Sequence, residues 1–146
     1  MTKFILMIGV PGSGKSTLAR KVADMENAVV LSSDELREEL FGDVWEFRKN
    51  KLLFDEMYRR ADRLLSEGTS VVLDATNISR RHRKRILNRF GSFYKECYFI
   101  NPSLDKVLLQ NKKRDRNVPE SIVAKMHERL QEPSYNEGWD KINIIR

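Results

Sequence analysis

The chain has 146 residues, 40% of them hydrophobic and 33% charged, which fits one domain spanning 1–146 and excludes wholesale disorder. Its one cysteine, Cys97, excludes an internal disulfide and fits a reducing, cytoplasmic setting. The net charge is +6, no apolar run approaches the ~18 residues of a membrane span, and the short apolar N-terminus is not expected to be a signal peptide.

Strands and helices are expected to alternate along the whole chain. Lys3–Ile8 is a nearly continuous apolar run, as in a strand buried on both faces. Lys15–Glu26 carries Leu18, Val22 and Met25 on one helical stripe. Further strands are predicted at Ala28–Leu31, Ser70–Leu73, Glu96–Ile100 and Ile142–Ile145. Helical patterns lie near 34–41, 46–67, 79–90, 103–112 and 119–130. This alternation predicts an α/β fold with a five-stranded parallel sheet between two helical layers. The polar, basic stretch Lys112–Pro119 is the best candidate for a mobile loop.

The loop Gly9-Val10-Pro11-Gly12-Ser13-Gly14-Lys15-Ser16-Thr17 matches G-x-x-x-x-G-K-[ST], between a predicted strand and a predicted helix. Its glycines let backbone N–H groups curl around a phosphate, and the helix N-terminus adds partial positive charge. Lys15 is expected to reach the β- and γ-phosphates of ATP, and the Ser16 hydroxyl to hold Mg²⁺. The loop alone implies nucleoside-triphosphate binding, without separating kinases from motors or switches.

The second strand runs into Ser32-Ser33-Asp34-Glu35-Leu36-Arg37 at the carboxyl edge of the sheet. There Asp34 can take a proton from an attacking hydroxyl, and Arg37, one turn on, can grip an acceptor phosphate. Ser32-x-x-Glu35 also reads as a capping box, which would leave Asp34 as a first-turn acid only. Leu73-Asp74-Ala75-Thr76-Asn77 offers a carboxylate at a strand end, either near the Mg²⁺ shell or as a helix cap. Thr76 and Asn77 are candidate acceptor contacts, as is Arg83, which shares the inward stripe of its helix with Ile86 and Leu87.

Seven basic residues and no acid lie between Ser79 and Lys95, which leaves the rest of the chain at net −1. Such a stretch either faces a polyanion or forms a solvated helix face. Arg80, Arg81, Lys84, Arg85 and Arg89 are assigned mostly to its outer faces. The loop Lys112-Lys113-Arg114-Asp115-Arg116 could bring an arginine over a transferring phosphate. His82 and His127 lack metal-ligand spacing and are expected at the surface. Cys97 is expected to be packed, and Phe41, Trp45 and Phe47 to serve the core or to stack an acceptor base.

Taken in order, the phosphate loop, Ser33-Asp34-x-x-Arg37, Asp74-Ala75-Thr76-Asn77, Arg114-x-Arg116-x-Val118-Pro119 and Glu137-Gly138-Trp139-Asp140 resemble the 5′-polynucleotide kinases. The resemblance implies an adenylate-kinase-like P-loop fold that moves the ATP γ-phosphate to the 5′-OH end of DNA or RNA. It implies nucleotide contacts from Gly9, Pro11, Gly12, Ser13, Gly14, Lys15, Ser16 and Thr17, and Mg²⁺ held by Ser16 and Asp74. Asp34 matches the general base, Arg37 the acceptor-phosphate contact, and Arg114 or Arg116 the arginine of a lid spanning about 111–119. No D-x-D-G-T phosphatase motif occurs, so a stand-alone kinase domain is expected. No membrane association is expected, and no protein partner is inferable. The alternatives are a kinase for a small hydroxylated metabolite, a nucleoside or a charged tRNA, and a non-catalytic ATP-binding nucleic-acid module.

Overall fold

A computed structural model describes residues 1–43, 48–114 and 118–145. Strand β1 (Lys3–Ile8) lies at the centre of the sheet because each of Phe4–Ile8 is apolar and is fully removed from water. After it come α1 (Lys15–Glu26), β2 (Val29–Ser32), α2 (Ser33–Phe41), α3 (Asn50–Ser66) and β3 (Val71–Asp74). The second half supplies α4 (Arg80–Arg89), β4 (Tyr94–Ile100), α5 (Leu104–Lys112), α6 (Glu120–Arg129) and β5 (Lys141–Ile145). The expected elements are present, with boundaries displaced by a few residues. An additional 3₁₀ turn at Tyr135–Glu137 has no periodic signal in the sequence.

The sheet order is β2-β3-β1-β4-β5, and every pair is parallel. All strand carboxyl ends therefore lie along one edge. The chain builds β2 and β3 to one side of β1, then crosses to β4 and β5 on the other. The loop after β1 thus sits at the switch point, where open α/β sheets bind ligands.

Successive side chains of β1 serve two cores, as the period of a strand requires. Phe4, Leu6 and Ile8 join Leu36 of α2, Leu53 and Met57 of α3 and Ile86 and Leu87 of α4. Ile5 and Met7 join Ala19 and Val22 of α1 on the opposite face. A smaller cluster of Val10, Val107 and Val123 ties the phosphate loop to α5 and α6. Cys97 is packed as expected, and burial pushes its thiol up to about 12, out of the reactive range. Among the described residues no helix is long and apolar enough to cross a membrane.

The structure corrects the reading of Arg83 as an acceptor contact. Its side chain is 0% exposed, and its Nε and Nη2 donate to Glu137 Oε1 at 2.7 Å and Oε2 at 3.2 Å. It also donates to the Asn77 and Gln131 carbonyls. Trp139 Nε1 and the Ser134 N–H also donate to Glu137. The guanidinium fastens the closing segment to the loop after β3, since a buried charge is tolerated only when paired and hydrogen-bonded.

Candidate active site

The sharp turn after β1 depends on Gly12, whose φ is +87° and whose added Cβ would lie 2.6 Å from the Val107 carbonyl oxygen of α5. This close approach brings the end of α5 against the phosphate loop. Lys15 and Ser16 then open α1, their positions fixed by the helix start. Ser16 Oγ donates to Asp74 Oδ2 at 2.7 Å, and Lys15 Nζ stands 3.9 Å from Asp74 Oδ1. Asp74 is buried at the end of β3, and its Oδ1 has no hydrogen-bond partner.

A buried carboxylate oxygen without a partner, beside a serine hydroxyl, suits Mg²⁺. That ion takes one or two protein oxygens and fills its remaining positions with water and phosphate. Among the described residues there is no cluster of three or more His, Cys, Asp or Glu that could hold a metal.

Two cavities flank this centre. One, of about 390 Å³, is lined by Gly12, Gly14, Lys15, Ser16, Thr17, Arg20, Gln110 and Arg114. The other, of about 440 Å³, has a polar side with Asp34, Arg37, Asn50 and Thr76 and an apolar side with Phe54, Val118, Ile122 and Met126. Lys15 and Arg114 line both. The first cavity has the glycine-rich wall expected for a nucleotide, and the second fits an acceptor.

Helix α2 is capped by Ser32, whose Oγ accepts from the Glu35 N–H at 3.4 Å, so the cap does not depend on Asp34. Asp34 Oδ1 accepts from Arg37 Nη1 at 3.2 Å, and its Oδ2 lies 4.0 Å from Arg114 Nη2. Arg37 is 4% exposed and also donates to Asn50 Oδ1 at 2.8 Å. Burial lowers the Arg37 pKa and the Asp34 charge offsets part of that, yet a guanidinium stays protonated across the physiological range.

Several sequence-based assignments change. The Gly9 N–H is taken by the Thr76 carbonyl and the Ser13 N–H by the Val10 carbonyl, so neither donates freely into the cradle. Pro11 lines the second cavity and not the first. Asn77 is buried at φ +49°, and its Nδ2 donates to the Met7 and Ala75 carbonyls, so it braces the sheet edge instead of contacting an acceptor. His82 is half-buried against Phe54 and Tyr58, and burial followed by the charges of Arg85 and Arg83 lowers its pKa. Arg116, Trp45 and Phe47 lie outside the described residues. Phe41 packs against the core, with Lys49 Nζ 5.1 Å from its ring centroid.

Sequence reading missed Asn50, Phe54, Gln110 and Arg20. Helical spacing from Ser16 and Thr17 could have found Arg20, whereas the others reach the cavities only through tertiary packing.

Comparison with known proteins adds family and fold. The L-seryl-tRNA(Sec) kinase of Methanococcus maripaludis is 25% identical over 151 residues, covering 96% of this chain and 57% of that protein. The chain therefore spans just over half the length of that curated relative. A chain of the Pnkp1/Rnl/Hen1 RNA repair complex superimposes with a TM-score of 0.79 at 24% identity, over 89% of this chain and 44% of that one. A gluconokinase from Sinorhizobium meliloti 1021 gives 0.71 at 19% identity, over 98% and 81%. These two structural likenesses establish the fold alone. The AAA domain model AAA_33 matches residues 4–133, which include the phosphate loop, Asp34, Asp74 and Arg114, and the chain belongs to that family.

Proposed function

We propose that the protein is an ATP-dependent polynucleotide 5′-hydroxyl kinase. The observation that carries this reading is the junction of the two cavities at Lys15 and Arg114, with Asp34 on the acceptor side. A γ-phosphoryl group held at the junction would face a hydroxyl in the acceptor cavity.

In this reading Asp34 accepts the proton of the 5′-hydroxyl as its oxygen bonds to the γ-phosphorus. The bond from that phosphorus to the β–γ bridging oxygen breaks, and ADP leaves. Lys15 and Arg114 face the charge that spreads over the transferring oxygens. Ser16 and Asp74 would hold Mg²⁺, which when bound neutralises charge between the β- and γ-phosphates. Arg37 is placed to meet a phosphate next to the reacting hydroxyl.

The two sides of the acceptor cavity favour a nucleotide over a polyol. A sugar acid would leave hydroxyl groups unpaired against Phe54, Val118, Ile122 and Met126. A nucleobase offers that wall an apolar face, while its phosphate meets Arg37. The likeness to a seryl-tRNA kinase favours a second reading, with a serine hydroxyl on a tRNA as acceptor.

A transfer assay with γ-labelled ATP and a panel of 5′-OH oligonucleotides, seryl-tRNA, gluconate and free nucleosides tests both. Label should appear on the oligonucleotide 5′ end. Label on seryl-tRNA alone would establish the second reading, and label on gluconate alone would exclude both.

A further inference from the structure

Asn50 lines the acceptor cavity, yet no motif and no step above gives it a task. It is the first residue of α3, and its Oδ1 accepts a 2.8 Å hydrogen bond from Arg37 Nη2. Nη1 of the same guanidinium donates to Asp34 Oδ1 at 3.2 Å. Arg37 is thus held by a carboxylate on one side and a carboxamide on the other, each from a different helix.

The carboxamide is not what helix chemistry alone would select. The first turn of a helix favours a carboxylate, because it faces the positive end of the dipole. An aspartate at this position would also bond Arg37 more strongly, through a charge-assisted hydrogen bond. Asparagine forgoes both gains. It fixes the guanidinium without bringing a further negative charge beside Asp34, and added negative charge would repel an anionic ligand.

We propose that Asn50 is a positioning and specificity-determining residue that orients Arg37 through a neutral acceptor and so admits a phosphate ester next to the reacting hydroxyl. The inference rests on the reading of the cavity as the acceptor site of a nucleotide 5′-hydroxyl kinase.

The test compares the wild-type protein with Asn50→Asp and Asn50→Ala. Thymidine and thymidine 3′-monophosphate serve as acceptors, with kcat and KM measured for each. The wild-type protein should favour the 3′-phosphate by about tenfold or more in kcat/KM, the loss expected when a buried charge contact to an anion is removed. Asn50→Asp should collapse that ratio toward 1, with the change in KM for thymidine 3′-monophosphate rather than in kcat. Asn50→Ala should reduce the ratio less, because the guanidinium loses a tether but meets no new charge. If Asn50→Asp does not fold, as judged by circular dichroism, Asn50→Ala decides alone. A merely structural role would lower both acceptors together and leave the ratio intact, which would overturn the inference while sparing the kinase reading. A wild-type protein that phosphorylates thymidine without preferring its 3′-phosphate, or that phosphorylates neither acceptor, would overturn the inference and this reading of the cavity together.

Discussion

Arg114 and Asp34 face each other where the two cavities meet, with Nη2 of one 4.0 Å from Oδ2 of the other. The side chains are 30% and 42% exposed, so the contact is worth about 1 kcal/mol or less. A nucleotide phosphate offers the Arg114 fork a more highly charged partner in the neighbouring cavity. One arginine can therefore serve either side of the transfer.

Arg114→Ala should slow transfer by about 100-fold while weakening ATP binding far less, because its contact strengthens as charge develops in the transition state. Single-turnover rates set against calorimetric ATP affinity give the two numbers. Equal losses in both would make Arg114 a simple binding residue.

Asp34→Asn should keep the cap of α2, which Ser32 supplies, and should lower thermal stability only modestly, because the half-exposed position still offers Arg37 a hydrogen-bond acceptor. It should retain ATP binding and lose transfer by about 100-fold or more, since asparagine takes no proton at neutral pH. Thermal melts and the labelled-ATP assay check the pair. An active Asp34→Asn would reduce the carboxylate to a first-turn acid.

Asp74→Asn and Ser16→Ala should raise the Mg²⁺ concentration needed for half-maximal transfer, with Asp74→Asn the larger effect because it removes charge as well as a ligand. Lys15→Ala should abolish transfer at any Mg²⁺ concentration. A Mg²⁺ titration of each variant separates these outcomes.

Glu137→Gln should destabilise the fold by about 3–5 kcal/mol, since it leaves the buried Arg83 guanidinium without its counter-charge. Burial alone would raise the Glu137 pKa, but Arg83, the Ser134 N–H and Trp139 hold it below its ordinary value of 4.5. The pair's stabilisation is therefore complete above pH 4.5 and is lost as pH falls through the lowered value. The gap between the urea midpoints of the wild-type protein and Glu137→Gln should narrow as pH falls from 4.5 through the lowered value. A constant gap would mean that the ion pair is not the source.

The basic face of α4 is smaller than its composition implies. Arg89 pairs with Asp62, and Arg80 donates to the Glu132 carbonyl. Arg81, Lys84 and Arg85 are exposed, with no carboxylate partner among the described residues. Replacing those three with Gln should flatten the salt dependence of oligonucleotide binding by about 2 in log–log slope, at about 0.7 per single-strand phosphate contact. Affinity measured across a salt series decides it, and an unchanged slope would make the face merely solvated.

The sequence by itself determined the order of elements and the phosphate cradle. The apolar run of β1 can be satisfied only at the centre of a sheet. The glycine spacing of residues 9–14 and the helix start at Lys15 are local requirements that survive any packing. The placement of Asp34 and Asp74 was legible for the same reason, because Asp74 ends β3 and Asp34 follows the end of β2 by two residues, which puts both at the carboxyl edge of a parallel sheet. Tertiary structure decided which polar groups remain available at that edge. Arg83 looked like a site residue because its helix stripe points inward, but inward meant Glu137, which is 54 positions away in the chain. Asn77 likewise carries a side chain suited to a ligand and gives it to the Met7 carbonyl. Asn50 and Phe54 carry no local signal, and they join the cavity only because α3 lies against α2 and α4. Local backbone chemistry repeats in short motifs that a sequence displays, whereas the partner of a buried polar group depends on which distant segments the fold brings within 3 Å.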